Sequence, residues 1–187
     1  MIYLVPTDTC YGIACAIDDI KNYEKIYKIK KRSFEKPLAI MILDFAWLKN
    51  NTTLNEKQIE FLKDYDKPFT VLTNSSPVSL WLNYEDENGV GFHNRGVYKK
   101  IAFRVANNET QKKLIKSVGP IFLTSANTSG DKEIYKIDEL EEVFSYYLDK
   151  KIIEILPGSV GNKNTSDIFE FVGDSVEVNY LRKSYDL

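Results

Sequence analysis

Apolar residues 120–124 run straight into Ser125, Asn127, Thr128, Ser129 and Gly130, so small hydrogen-bonding groups stand where a strand would end. Open α/β sheets bind ligands at the carboxyl ends of their strands. Ser, Asn and Gly also favour turns for local reasons, and this segment alone leaves both readings open. Two further segments carry similar chemistry: Pro6-Thr7-Asp8-Thr9-Cys10-Tyr11-Gly12, and Lys30-Lys31-Arg32 followed by Lys36-Pro37-Leu38. Lys30 lies three, four and seven residues after Tyr27, Ile26 and Tyr23, so it extends their helical stripe toward the core side. A helix carboxyl terminus favours its charge. The cluster reads either as a solvated basic helix end or as a polyphosphate clamp, with Lys as a point charge and Arg as a planar fork.

Arg104 shares a strand face with Ala102, opposite Phe103 and Val105. It reads as an edge-face arginine or as a cation aimed at a carboxylate or phosphate, and Arg182 carries the same two readings. No Gly-x-x-x-x-Gly-Lys-Ser/Thr or Gly-x-Gly-x-x-Gly segment occurs, so neither a P-loop nor a dinucleotide fingerprint is present. A serine–histidine–acid triad would have to use His93, the one histidine. Nothing around Ser125 resembles a nucleophile elbow, and His93 reads as a loop residue. Cys10 and Cys15 with a single histidine cannot make a Cys/His zinc site without carboxylates or a second chain; they read as small buried hydrophobes.

The elements that must position these groups follow from periodicity. Residues 2–5 read as a strand stopped by Pro6, and 11–17 as a second apolar stretch. Asp18-Asp19 opens a helix with Ile20, Tyr23, Ile26 and Tyr27 on one face. The unbroken apolar run 38–43 suits a strand covered on both faces. Thr53-x-x-Glu56 predicts a capping box for a helix to about Tyr65. Strands are predicted at 69–73, 101–105 and 120–124. Asn107 or Asn108 caps a helix to Ser117 that Gly119-Pro120 ends. A helix at 138–148 precedes short strands at 152–156, 167–171 and 176–181, which read as closing the chain in hairpins. Residues 74–98 read as an irregular excursion or hairpin.

The 187 residues suit one domain with one well-buried core. Hydrophobic residues at 43%, charged residues at 28%, 12 Tyr and 10 Phe describe a soluble globular chain with large core side chains. A net charge of −2 excludes a global basic field, so any anion site must be local. No apolar run reaches the ~18 residues of a membrane span, and a cytoplasmic setting is the expectation.

Taken in order, these segments resemble the YrdC-like domain family, whose best-known members are threonylcarbamoyl-AMP synthases. The resemblance rests on Pro6-Thr7-Asp8-Thr9-Cys10-Tyr11-Gly12, Lys30-Lys31-Arg32 with Lys36-Pro37-Leu38, Pro68-Phe69-Thr70, Phe103-Arg104-Val105 and Ser125-Ala126-Asn127-Thr128-Ser129-Gly130. It implies a single YrdC-like domain over 1–187, an α/β fold with a twisted mixed β-sheet flanked by helices and a concave ligand-binding surface. It also implies an ATP-dependent nucleotidyltransferase that joins L-threonine and bicarbonate to AMP and releases pyrophosphate. A partner enzyme then transfers the threonylcarbamoyl group to N6 of adenosine in tRNA, and weak tRNA binding accompanies the activity. By the same resemblance Lys30 and Arg32 are the catalytic cations. Lys30, Arg32, Lys36, Ser125, Asn127 and Arg182 bind ATP, and Thr9, Arg104 and Ser166 bind threonine. Mg²⁺ arrives on the ATP phosphates, with no protein metal site.

Departures from the pattern are local. The usual Trp-Pro-Gly-Pro before Thr70 is Tyr65-Asp66-Lys67-Pro68, Ala106 replaces a proline, and Met41 stands where some members carry histidine. The terminal Ser-Thr-Ile/Val-Val-Asp motif becomes Ser166-Asp167-Ile168-Phe169-Glu170. Two other classes stay open. A non-catalytic RNA-binding module has the net charge and the lack of basic clusters interleaved with aromatics against it. A paralogue acting on another carbamoyl-type substrate is favoured by the altered terminal motif.

Overall fold

Ile2, Leu4, Val5, Ile13, Ala14 and Cys15 lose all contact with water, and a short polar turn folds the two strands that carry them into an antiparallel pair. The computed structural model describes residues 1–74, 100–161 and 165–184. Along the chain its elements are β1 (Ile2–Pro6), β2 (Tyr11–Ala16), α1 (Ile20–Lys30), β3 (Ala39–Ile42), α2 (Phe45–Asn51), α3 (Glu56–Asp64), β4 (Phe69–Thr73), β5 (Ile101–Val105), α4 (Glu109–Val118), β6 (Ile121–Ser125), α5 (Ile137–Asp149), β7 (Ile153–Ile155), β8 (Asp167–Phe171) and β9 (Val178–Arg182). They fall into two units, Met1–Ser33 with Ala106–Lys163, and Phe34–Val105 with Asn164–Leu187. The mixed β-sheet flanked by helices that the sequence implies is found. No helix among the described residues is long and apolar enough to cross a membrane.

In the first unit the strands run β7-β1-β2-β6, with β7 parallel to β1 and the other pairs antiparallel. Helix α1 packs on β2, α4 on β1 and α5 on β7. Tyr23 carries α1 onto β6 as well: its ring centroid lies 4.5 Å from Phe122 of β6 and 5.1 Å from Tyr27 of its own helix. Such aromatic pairs add roughly 0.5–1.5 kcal/mol beyond area burial. Burying two phenols requires partners for their hydroxyls, and Tyr23 and Tyr27 lie 3.1 Å apart at Oη.

In the second unit the strands run β3-β5-β4-β8-β9, with β3/β5 and β4/β8 parallel and β4/β5 and β8/β9 antiparallel. Aromatic rings cover this sheet. Trp47 of α2 lies 5.8 Å from Phe103, and Phe61 of α3 meets Phe169 and Phe171 edge-on at 6.4 and 5.5 Å.

Three expectations need correction. The capping box sits at Asn55 and Gln58, whose side chains each accept from the other residue's backbone N–H. Thr53 is engaged with the end of β4 through its N–H to Asn74 and its hydroxyl, 3.4 Å from that of Thr73, so the helix starts two residues later. Helix α2 went unread because its seven residues are too few to show a periodic stripe, although Asp44 caps it by accepting from the Trp47 N–H at 2.7 Å. Of the closing strands only β8 and β9 form a hairpin, since β7 pairs with β1. Of the 74–98 stretch only Asn74 is described; the rest, His93 included, lies outside the described residues.

Candidate functional site

Helix α1 ends in a Schellman motif: Arg32 N–H bonds to Tyr27 C=O at 2.9 Å and Lys31 N–H to Lys28 C=O at 3.2 Å. Lys31 takes the left-handed conformation, φ 48°, that this cap needs. The turn separates two cations. Arg32 leaves along the emerging chain, whereas Lys30 stays on the buried stripe with Tyr23, Ile26 and Tyr27 and is 2% exposed. It is not a solvated helix end. Its ammonium donates to the backbone carbonyls of Ser125 and Asn127 and lies 3.5 Å from Asn127 Oδ1. Burial pulls the Lys30 pKa down to about 8, the nearby positive charge of Arg32 adds to the fall, and Cys10 and Glu133 oppose it. At neutral pH the group therefore remains mostly a cation.

The Ser125–Asn127 loop is held from three sides. Gly12 pairs with Ser125 across β2 and β6, Ala126 N–H bonds to Tyr11 C=O at 2.8 Å, and Ser129 N–H bonds to Lys30 C=O at 2.9 Å. Asn127 is buried and spends its amide on Asp131 C=O at 2.6 Å. The segment is both a turn and a fixed polar surface, so the two readings that the residues left open coincide. Its neighbour is the turn between β1 and β2. There Thr7 Oγ1 donates to Cys10 C=O at 2.7 Å and lies 3.0 Å from Thr9 Oγ1, and both threonines are buried. Gly161 locks this turn: its N–H bonds to Thr7 C=O, and a Cβ there would stand 2.1 Å from Asp8 O. Cys10 and Cys15 are buried thiols that form no disulfide, and burial raises the Cys15 thiol pKa.

The remaining candidates lie in the second unit. Arg182 grips Ser166: Nε and Nη2 both donate to the Ser166 carbonyl, at 3.0 and 2.8 Å, and Nη2 reaches Ser166 Oγ at 3.1 Å. Ser166 Oγ is in turn 3.0 Å from Thr70 Oγ1. The Pro68-Phe69-Thr70 segment thus adjoins Ser166, a contact the sequence reading missed. Arg104 sits on β5 in register with Met41 of β3, on the face opposite buried Phe103, and Lys36 is exposed beyond β3's start. Glu170, standing where the family pattern has aspartate, pairs with Lys100 at 3.1 Å. Asp167, also unsuspected from sequence, is completely buried and accepts from Tyr65 and Ser184. Strand alternation was the available signal, since it puts Asp167 on the face of Phe169 and Phe171, where a carboxylate must find donors. Burial alone would raise its pKa, but those hydrogen bonds outweigh burial and hold it below the ordinary carboxylate value.

Two polar clusters on a mixed α/β scaffold, one around Lys30 and one around Ser166, therefore hold six of the residues that the resemblance singles out. A family model described as "Telomere recombination", that of the Sua5, YciO and YrdC proteins, matches residues 1–184. The chain belongs to this family. Curated relatives of this Sua5/YciO/YrdC chain include the threonylcarbamoyl-AMP synthase of Pseudoalteromonas translucida (strain TAC 125), 27% identical over 161 residues that cover 81% of this chain and 80% of that protein. Another, of the same name, is from Buchnera aphidicola subsp. Acyrthosiphon pisum (strain APS), 27% identical over 174 residues, 89% of this chain and 90% of that protein. Among solved structures, P. abyssi Sua5 complexed with L-threonine superposes with a TM-score of 0.74 at 22% identity, over 98% of this chain and 50% of that one. E. coli YciO does so with a TM-score of 0.71 at 18% identity, over 98% and 82%. These structures share the fold, and the chain spans about half the length of the Sua5 chain it matches.

Proposed function

We propose that this Sua5/YciO/YrdC-family protein is an enzyme, a threonylcarbamoyl-AMP synthase, and acts at the first step of N6-threonylcarbamoyladenosine formation in tRNA. The observation that carries the reading is the Lys30 ammonium seated against the Ser125–Asn127 loop, in a chain matched by the family across 1–184. The names of the curated relatives support the activity, and the threonine complex of P. abyssi Sua5 supports threonine as a substrate.

In the proposed reaction the threonine amine adds to bicarbonate with loss of water, giving a carbamate. A carbamate oxygen attacks the α-phosphorus of ATP, and the bond to the pyrophosphate oxygen breaks. Every reactant is anionic, so catalysis rests on alignment and on neutralising charge. Lys30 is suited to both: its ammonium fixes the loop through the Ser125 and Asn127 carbonyls, and its positive charge stands beside the site proposed for the phosphates. Arg32, Lys36 and Arg182 add charge at the phosphates, Ser125 and Asn127 contact the nucleotide, and Thr9, Arg104 and Ser166 hold threonine. No group of three or more His, Cys, Asp or Glu among the described residues could hold a metal. The Mg²⁺ of this proposal travels with ATP and supplies charge neutralisation at the pyrophosphate. The product passes to a threonylcarbamoyl-transfer enzyme in the cytoplasm, and residues 1–187 act as one YrdC-like domain with weak tRNA affinity. The test is an omission assay: pyrophosphate release is expected only with ATP, L-threonine and bicarbonate together. Release that persists at full rate without bicarbonate would sink the proposal.

A further inference from the structure

A buried carboxylate in an aromatic sheet face is a costly way to build a strand. Phe169 and Phe171 show that β8 needs only apolar groups on that face, and an apolar residue at 167 would avoid the desolvation cost. Asp167 is nonetheless 0% exposed. Its Oδ2 accepts from Tyr65 Oη, which lies 3.1 Å from Tyr180 Oη. Since the Tyr65 proton goes to the carboxylate, Tyr180 is the donor in the second contact. Its Oδ1 accepts from both the backbone N–H and the hydroxyl of Ser184, the latter at 2.7 Å.

What those bonds hold is the end of β9. The β8/β9 ladder shifts register between Ile168 and Phe169, and its last pair is Ile168 with Arg182. Beyond it the ladder no longer fixes the chain, and Asp167 captures Ser184 by both of its donors. Adjacent residues thus grip the same segment: Ser166 through its carbonyl to Arg182, Asp167 through its carboxylate to Ser184. Tyr65 and Asp167 both mark points where this chain leaves the family pattern, and they are each other's hydrogen-bond partners.

We propose that Asp167, oriented by Tyr65, is a positioning residue that fixes the end of β9 and so presets the Ser166–Arg182 pair for substrate. The ligands of that pair rest on the function proposed above; the positioning itself does not. Two arms keep the two separable. Hydrogen exchange, read by NMR, needs no activity: in Asp167→Ala the Ser184 amide is expected to exchange at least tenfold faster, with β8/β9 ladder amides unchanged. Tyr65→Phe, which keeps the ring, should give a smaller acceleration at the same amide. A Ser184 amide unchanged in both variants, or ladder amides accelerated as much as Ser184 in both, overturns the proposal. In the kinetic arm Asp167→Ala is expected to raise the KM for ATP about tenfold with kcat within threefold, and Asp167→Asn to restore most of the loss. Adding Asp167→Ala to Arg182→Ala should then raise KM no further; a full additional tenfold rise, the mark of independent sites, contradicts it. A wild-type protein without bicarbonate-dependent pyrophosphate release defeats the proposed function and leaves the exchange arm to decide the positioning.

Discussion

Among the described residues each unit of the molecule buries one charged side chain, and the two charges are stabilised in opposite ways. Lys30 is a cation met by backbone carbonyls, and Asp167 is an anion met by two hydroxyls and a backbone N–H. Neither relies on a direct ion pair within these contacts. For Lys30, burial dominates and its pKa falls to about 8, so carrying the charge costs stability. For Asp167 the hydrogen bonds dominate and its pKa also falls, so carrying the charge contributes stability. The lesson is that a buried charge is not one kind of feature. One that is expensive and kept points to chemistry, and one that is fully satisfied points to positioning.

The largest expected effect separates the two. Lys30→Met keeps the length of the side chain and removes the ammonium. Turnover is expected to fall at least 100-fold, or about 3 kcal/mol of lost transition-state stabilisation. Stability should change by less than about 2 kcal/mol, because the lost carbonyl contacts and the relieved desolvation oppose one another. Urea unfolding with the pyrophosphate assay measures both. A variant that unfolds while the Arg32→Ala protein stays active would make Lys30 structural and erase the contrast.

A second test reads the two charges by pH. Below about pH 8 both folded and unfolded chains carry the Lys30 proton and its cost is full. Between about 8 and the ordinary lysine value of 10.5 the folded chain sheds the proton first, so wild type should gain stability relative to Lys30→Met as pH rises. The Asp167 contribution is full above the ordinary aspartate range and is lost as pH falls through its depressed folded pKa. The gap between wild type and Asp167→Asn should therefore shrink in acid. Denaturant midpoints across pH check both slopes. In the same series an NMR titration of Lys30 should show a midpoint near 8 that moves upward in Arg32→Ala, since a like charge has been removed.

The smallest effect concerns the turn that parts Lys30 from Arg32. Lys31 holds φ 48° without being glycine, so Lys31→Gly should stabilise by roughly 0.5–1 kcal/mol and leave turnover unchanged. A loss of turnover would mean that the Lys31 side chain, and not the cap geometry, matters at this end of α1.

Much of this was legible in the sequence. The 3.6-residue stripe placed Lys30 inward, and strand alternation placed Arg104 opposite Phe103. Uninterrupted apolar runs marked β3 and β6. What periodicity cannot supply is the return of the chain: the carbonyls that receive Lys30 come 95 and 97 residues later. The capping box slipped by two residues because Thr53 and Asn55 satisfy the same local rule and only the tertiary contact with β4 chooses between them. Asp167 looked like decay of a motif because its donors, Tyr65 and Ser184, lie far from it in sequence.

The most direct test of the central claim follows carbon from bicarbonate. With ¹³C-bicarbonate, L-threonine and ATP, the protein is expected to form an adenylate one mass unit heavier than that from unlabelled bicarbonate, with the label passing to adenosine when the transfer enzyme and tRNA are added. An adenylate that forms without carrying the label would contradict the account.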